Sequence, residues 1–177
     1  MKGTLRMVHD GSYMCKDDPS ICSAAFIITC SSTGQKATGT LVERSDFADN
    51  YRAKALGAIG GLLILRADMK QVSPYKECLA YCDNLGIVGH ANKPNRPLCE
   101  KQSQSDVIGL IKQYIRHLAV AVPYHHVHVH LDDVLRWDQL TDIQKLNVEC
   151  DSLAKEALLN GIVDQSSYLV AFLSRIW

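Results

Sequence analysis

The order of hydrophobic patterns along the chain restricts its possible folds more than any other feature of the sequence. Three β-rich runs come first, followed by a helical pattern, a fourth strand, two helical patterns, a fifth strand and a last helical pattern. This order is typical of an α/β domain in which helices cover a mixed sheet. The predicted strands are Leu5–His9, Ser23–Cys30, Ala37–Glu43, Tyr75–Asp83 and Tyr124–Leu131, and the predicted helices are Asn50–Arg66, Leu85–His90, Val107–Leu118 and Thr141–Leu159.

Several short signals set the expected ends of these elements. Asp10 and Gly11 predict a turn directly after the first strand. Thr141 and Gln144 have the spacing of a capping box, and Gly161 predicts the end of the last helix. No stretch rich in glycine, proline or serine divides the 177 residues. We therefore expect one domain over residues 1–161, with residues 162–177 as an extension that is a remnant of a following domain.

Composition limits the partners and the compartment of the chain. The formal net charge is zero, so any polyanion must be bound by local groups rather than by a global field. The seven cysteines form no paired metal pattern, which favours reduced thiols in the cytoplasm or nucleus. The longest apolar run, Ala55 to Leu65, is too short to cross a bilayer, and the start resembles no signal peptide. We expect a soluble chain with no membrane partner.

Three aspartates lie in contexts that suit metal chemistry. Asp10 and Asp83 each end an apolar strand pattern, and Asp151 lies inside the last helical pattern. Lys54 begins a stripe of small residues in the first long helix, formed with Gly57, Ala58 and Gly61. Such a stripe allows a helix to approach a sheet closely, and Lys54 lies at the N-terminal end of the stripe.

These residues and their order resemble the ribonuclease H family, in the form found in retroelements that encode a reverse transcriptase. The resemblance covers roughly residues 5 to 160. Family members have Asp-Gly-Ser after the first strand, Arg-Ala-Glu in the first helix, Asp-Ser after the fourth strand, a histidine after the fifth strand, and Asn-x-x-x-Asp-x-Leu-Ala in the last helix. The corresponding residues here are Asp10-Gly11-Ser12, Arg52-Ala53-Lys54, Asp83-Asn84, His130, and Asn147 with Asp151-Ser152-Leu153-Ala154.

The resemblance implies a ribonuclease H-like fold, with a five-stranded mixed sheet in the order 3-2-1-4-5 flanked by helices. It also implies hydrolysis of the RNA strand of an RNA/DNA hybrid by two Mg²⁺ or Mn²⁺ ions, which activate water and stabilise the charge that develops on phosphate. Asp10, Asp83 and Asp151 would hold the metal, and His130 would assist proton transfer or product release. Other domains of a polyprotein would be partners.

Lys54 stands where the family has a glutamate, and it reverses the local charge. An ammonium about 4 Å from a divalent cation is repelled by about 8 kcal/mol at an effective dielectric constant of about 20. The lysine can turn its head group to solvent, or it can neutralise the three aspartates in place of metal. In both cases we expect a weak or single metal site and impaired activity. If the helix register is wrong, Glu43 is the nearest replacement acid.

Two other interpretations stay open. The domain can be a catalytically inactive nucleic-acid-binding or recruited domain of the same fold, with Lys93, Arg96 and Lys101 contacting phosphates. Alternatively, His126, His128 and His130 alternate along one strand, so that they would share a face, and neutral imidazoles suit zinc. The second interpretation predicts a zinc protein rather than a nuclease.

Overall fold

The computed structural model describes residues 3–14, 16–68, 75–99, 101–128, 134–163 and 170–176. Six strands and four α-helices make up this part of the chain, with a short 3-10 helix at Trp137–Gln139. The strands are β1 Thr4–Ser12, β2 Ile21–Cys30, β3 Lys36–Arg44, β4 Glu77–Cys82, β5 Tyr124–His126 and β6 Val170–Ile176, and the helices are α1 Asn50–Asp68, α2 Leu85–Ala91, α3 Ser105–His117 and α4 Asp142–Val163.

The six strands form one mixed sheet in the order β5-β4-β1-β2-β3-β6. The pairs β1–β2, β2–β3 and β3–β6 are antiparallel, whereas β4 runs parallel to both β1 and β5. The predicted order 3-2-1-4-5 is therefore confirmed. The sixth strand was not predicted, and it extends the sheet beyond β3.

β1 continues past the turn that the sequence predicts. It stays paired with β2 as far as Ser12, opposite Ser23, so the prediction that Asp10 and Gly11 form a turn is wrong. The parallel pairing of β1 with β4 ends earlier, at Val8 opposite Tyr81. Beyond Val8 the two strands are no longer paired, and Asp10 lies in this last part of β1.

β5 and α4 also end at residues other than those predicted. β5 is assigned over three residues only, although the Val127 amide still donates to the Cys82 carbonyl at 3.0 Å. The second half of the predicted fifth strand, residues 129–131, lies outside the described residues. α4 begins as predicted, because the Thr141 amide donates to Gln144 Oε1 at 2.8 Å, but it passes through Gly161 to Val163. Gly161 packs so closely on β3 that a Cβ there would lie 2.8 Å from Val42 Cγ1, so it serves packing rather than a helix end.

The small-residue stripe of α1 rests directly on the sheet. A Cβ on Gly11 would overlap the main chain of Ala53 and Lys54, and a Cβ on Gly57 would lie 2.8 Å from the Ala25 carbonyl oxygen. α1 covers a face whose buried side chains include Met7 and Phe26, and α4 covers the other face through Cys150 and its neighbours. Because glycine has no Cβ, Gly11 and Gly57 allow the first turns of α1 to lie beside the end of β1.

Other features of the described chain bear on the predicted compartment and domain. The six cysteines for which the structure gives a state are all free thiols: Cys22, Cys30, Cys78, Cys82, Cys99 and Cys150. Among the described helices, none has the length and hydropathy that a membrane crossing requires. Residues 170–176 pair with β3, and the domain boundary at residue 161 stays a prediction.

Candidate active site

Asp10 and Asp83 lie at the carboxyl ends of neighbouring strands. Asp10 is in the last part of β1, and Asp83 directly follows β4. Both side chains are nearly buried, with exposed fractions of 4% and 7%. Asn84, which follows Asp83, caps α2 by accepting hydrogen bonds from the amides of Gly86 and Ile87. The cap fixes the main chain after β4 and so fixes the position of Asp83.

Lys54 projects into this carboxylate pair from α1. Its Nζ donates to Asp10 Oδ1 and also to Asp83 Oδ2, the latter at 2.5 Å. The lysine side chain is 17% exposed, so its ammonium is not turned to solvent. Of the two arrangements that the sequence allowed, the structure shows the one in which the lysine neutralises aspartates, but it contacts two of the three.

Burial and mutual contact shift the protonation of these groups. Burial would lower the pKa of Lys54, but the adjacent Asp10 and Asp83 carboxylates raise it above its usual range. Burial raises the pKa of Asp10 above its usual range, and Asp83 adds to this, while Lys54 and the Gly11 amide oppose it. The Gly11 amide donates to Asp10 Oδ1 at 2.7 Å. Lys54 is therefore fully charged at neutral pH.

His9 forms a hydrogen bond with the main chain of Lys54, and it was not predicted as a site residue. The ring is fully buried, and its Nδ1 lies 3.1 Å from the Lys54 carbonyl oxygen, which can only accept, so Nδ1 carries the proton. Its other nitrogen, Nε2, is buried without a hydrogen-bond partner among the described residues. Burial lowers the pKa of His9 to about 4, with a smaller opposing effect from the Lys54 carbonyl. A histidine inside an apolar strand run, next to Asp10, was the available signal.

Asp151 is not drawn into the pair. Its Oδ2 accepts a hydrogen bond from Lys155 Nζ at 2.6 Å, one turn along α4, and its side chain is 30% exposed. Cys150, the preceding residue, is buried and places its Sγ 3.7 Å from the Val8 carbonyl oxygen. α4 thus packs against β1 beside the site, while the Asp151 carboxylate is paired on the surface. The ligand role predicted for Asp151 stays a prediction.

Of the histidines predicted on the fifth strand, His126 lies in β5 and His128 follows it. His126 Nε2 is 3.1 Å from the Asp83 carbonyl oxygen, and the rings of His126 and His128 are 5.1 Å apart between centroids. His130, predicted as a catalytic or zinc-binding residue, lies outside the described residues. Within the described ranges, no three histidine, cysteine or acidic side chains are arranged to hold a metal ion.

Glu43 does not replace the missing acid. Its Oε1 accepts from Arg52 Nε at 2.7 Å, and Arg52 also donates to Gln104 and Asp106 at 3.0 and 2.8 Å. The Arg52 side chain is 12% exposed. This network joins the end of β3, the start of α1 and the start of α3. It holds α1 in the register that places Lys54, rather than a neighbouring residue, at the carboxylates.

The basic residues predicted to contact phosphate lie between α2 and α3. Lys93, Arg96 and Lys101 are all exposed. The Arg96 carbonyl accepts a hydrogen bond from the buried Lys112 Nζ, which ties this loop to α3. The three side chains are accessible to a ligand, and their role stays a prediction.

The residues at the site do not fit a centre of two Mg²⁺ ions. Asp10 and Asp83 carry two negative charges, and the Lys54 ammonium between them returns one positive charge. A hard divalent cation requires oxygen ligands, but the ammonium already binds one carboxylate oxygen of each aspartate. A metal ion on these residues would have to displace a tethered cation.

No protein-family model and no curated protein sequence matches the chain. Several solved structures are similar in fold. The N-terminal ribonuclease H domain of rv2228c from Mycobacterium tuberculosis, solved as a fusion with maltose-binding protein, has a TM-score of 0.65 and 13% identity, covering 94% of this chain and all of that chain. LC11-RNase H1 in complex with an RNA/DNA hybrid has a TM-score of 0.63 and 13% identity, covering 89% of this chain and 99% of that chain.

A viral protein shows the same fold within a longer chain. The prototype foamy virus protease-reverse transcriptase has a TM-score of 0.55 and 13% identity, covering 88% of this chain and 20% of that chain. At such low identity these similarities concern the path of the backbone rather than the chemistry of the site. Together with the sheet order, they show that this chain has the ribonuclease H fold.

Proposed function

We propose that the chain is a nucleic-acid-binding domain of ribonuclease H fold, derived from a retroelement polyprotein, whose hydrolytic centre is blocked. The ancestral reaction would be cleavage of the RNA strand of an RNA/DNA hybrid, with magnesium or manganese held by Asp10, Asp83 and Asp151. The solved structure with an RNA/DNA hybrid and the viral protease-reverse transcriptase support this origin through their fold.

The ion pairs of Lys54 carry the proposal. An ammonium that contacts both buried aspartates prevents them from binding a metal ion as they stand, and hydrolysis of a phosphodiester needs the metal to stabilise negative charge. We therefore expect hydrolysis to be lost or strongly reduced. Binding of a duplex through exposed basic side chains would not require these contacts to change.

Binding of nucleic acid requires local positive charge, because the formal net charge is zero. The exposed side chains of Lys93, Arg96 and Lys101 on the loop before α3 supply it. Such contacts with phosphate are independent of base sequence, so we expect weak binding that falls steeply as salt is added.

The test measures binding and cleavage on the same protein. Fluorescence anisotropy with a labelled RNA/DNA hybrid should show binding that weakens with salt, and gel analysis with Mg²⁺ or Mn²⁺ should show little or no cut RNA. The double variant Lys93→Gln/Arg96→Gln should bind several-fold more weakly. The control Arg66→Gln/Lys76→Gln removes the same charge from exposed residues at the C-terminal end of α1 and just before β4, and should bind nearly as the natural chain does.

Two outcomes would contradict the proposal. Rapid cleavage by the natural chain would show that Lys54 does not block the centre. Absence of binding to hybrid, duplex DNA and duplex RNA at low salt would show that the domain has no nucleic-acid partner.

We also propose a reducing compartment, the cytoplasm or nucleus, because free thiols persist there. The melting temperature should then be the same with and without reductant in scanning calorimetry. A large fall in the melting temperature on reduction would mean that a disulfide stabilises the natural protein.

A further inference from the structure

Three charged side chains contact one another in a nearly buried part of the molecule. Asp10, Asp83 and Lys54 are 4%, 7% and 17% exposed, and a single Nζ contacts both carboxylates. Two carboxylates that share one ammonium are necessarily close to each other. Buried charges of like sign are stable only when an opposite charge or several hydrogen bonds compensate them.

Lys54 supplies most of that compensation. Among the residues that the structure describes, no other cation contacts either carboxylate. Asp10 also accepts from the Gly11 amide, at 2.7 Å, and among the described residues the other contact of the Asp83 carboxylate is a weak one with Cys82 Sγ at 3.8 Å. Removal of the ammonium would leave two buried negative charges, and only the Asp10 carboxylate would keep a good hydrogen bond from the described residues.

We propose that Lys54 is a tethered structural cation, which takes the place of a metal ion between Asp10 and Asp83 and makes the stability of the fold independent of divalent cations. The pair of Asp10 and Asp83 is in this sense a cation site that the Lys54 ammonium of the same chain occupies. Loss of the ammonium opens the site to a free divalent cation with a preference for oxygen ligands, such as Mg²⁺ or Mn²⁺. This inference concerns the fold and does not depend on whether the domain binds nucleic acid.

The packing explains why the lysine is suited to this role. α1 lies so close to β1 at Gly11 that the Lys54 main chain is fixed, and His9 Nδ1 donates to the Lys54 carbonyl. The ammonium therefore reaches the carboxylates from a rigid base, with a local concentration that no free ion matches. A free ion would have to be ordered from solution, whereas the lysine is already in place.

The experiment compares melting temperatures with and without Mg²⁺ or Mn²⁺, in buffer treated with chelator. Lys54→Met keeps a long side chain but removes the charge, so its melting temperature should fall by roughly 10 °C without metal. Divalent ion at ten times its Kd should raise that temperature by roughly 4 °C. The natural chain should shift by less than about 1 °C under the same conditions, since its site is filled.

Matched variants separate charge from packing. Lys54→Met/Asp10→Asn/Asp83→Asn removes the carboxylates together with the ammonium, so it should melt above Lys54→Met and should not respond to metal. Lys155→Met removes a lysine that also contacts an aspartate, but at 51% exposure, so it should lose little stability and gain no metal response. Calorimetric titration of Lys54→Met should show one bound ion per chain.

The proposal is overturned if the natural chain is stabilised by divalent ions as much as Lys54→Met, or if Lys54→Met melts like the natural chain. If Lys54→Met does not fold without metal, its folding on addition of Mg²⁺ or Mn²⁺ supports the proposal. If it stays unfolded with metal while the triple variant folds, the carboxylate pair is not a cation site and the proposal fails. If the triple variant also stays unfolded, uncompensated carboxylate charge is not the cause of the loss, which likewise contradicts the proposal.

Discussion

At the scale of single residues, the charge at position 54 decides what the carboxylates can do. The ammonium of Lys54 is held by Asp10 and Asp83 rather than by solvent. A glutamate there would instead add a third oxygen ligand beside the two aspartates. The same backbone can therefore carry either a positively or a negatively charged residue at position 54.

Lys54→Glu should restore cleavage of the RNA strand in an RNA/DNA hybrid. The change removes a repulsive cation and adds a ligand, so the rate with Mg²⁺ or Mn²⁺ should rise by orders of magnitude in a gel-based cleavage assay. Adding Asp10→Asn to this variant should abolish the gain. Lys76→Glu, an exposed position just before β4, should leave the rate unchanged. An equal rate in the natural chain and in Lys54→Glu would refute the inactivation.

His9 should make the fold sensitive to mild acid. Burial lowers its pKa from 6.5 to about 4, so between these values the unfolded chain binds more protons than the folded chain. The contribution is fully present above pH 6.5 and is lost as the pH falls toward 4, and by its size it amounts to up to about 3 kcal/mol. Urea unfolding from pH 4 to 7.5 measures it.

His9→Asn is the matched variant for this test. Asparagine cannot be protonated in this range, but its amide can donate to the Lys54 carbonyl as Nδ1 does. The variant should be less stable at pH 7, because it leaves a small cavity, and its free energy of unfolding should depend less on pH between 4 and 6.5. An unchanged slope would show that His9 does not titrate in this window.

The residues of the site were foreseeable to different degrees. Asp10, Asp83 and Lys54 could be placed near one another because their short motifs and their order resemble the ribonuclease H family. The direction of the Lys54 head group could not be predicted. It depends on how closely α1 approaches Gly11 and on how deeply the carboxylates are buried. The pairing of Asp151 with Lys155 was visible as a spacing of four residues on a helix, and it was missed.

At the scale of elements, the close contact of α1 with the sheet positions the site. A Cβ on Gly57 would lie 2.8 Å from the Ala25 carbonyl oxygen and 2.9 Å from that of Asp10. Neither carbonyl can move without breaking the pairing of β1 with β2. The glycine is therefore required by packing, although glycine lowers helix propensity.

Gly57→Ala should destabilise the protein by about 1 to 3 kcal/mol, because the added methyl group pushes α1 away from the sheet. Gly89→Ala is a control inside α2, where a Cβ would meet nothing within 4 Å. It should instead stabilise by roughly 0.5 to 1 kcal/mol through helix propensity. Chemical unfolding of both variants gives the comparison, and a loss of stability in both would mean that close packing is not the cause.

The elements themselves followed from local patterns, whereas their ends depended on partners far along the chain. The first three strands and α1 were predicted to within a few residues. β1 runs on to Ser12 because β2 continues to pair with it, and α4 passes Gly161 because that glycine fits against Val42. Neither partner is close in sequence, so a window of neighbouring residues cannot reveal the contact.

At the scale of the whole molecule, β6 determines which edge of the sheet is open. It pairs along β3 from Lys36 opposite Ile176 to Val42 opposite Val170. Without it, β3 would replace β6 as the edge strand and would expose unpaired groups along nine residues rather than seven, which favours pairing between chains. Residues beyond 161 were predicted to be an extension, and the apolar run Leu169–Leu173 was not recognised as a strand.

A chain that ends after Val163 should fold but self-associate. Its circular dichroism should stay close to that of the natural chain, while sedimentation velocity should show dimers or larger species as concentration rises. Thr40→Lys in the shortened chain places a charge on the exposed edge and should reduce association. A shortened chain that stays monomeric would show that β6 does not protect this edge, and one that fails to fold would place the domain boundary beyond residue 163.

The contact of Lys54 with its two aspartates also has a genetic consequence. The codons for lysine and glutamate differ only in their first base, so a single transition separates the closed site from one that offers three carboxylates. The rest of the site, including Gly11 and His9, suits either residue, because it fixes the main chain of position 54 rather than its charge. On the proposed function, one mutational step therefore removes the reaction while the fold is kept, and the same step in reverse returns the third carboxylate.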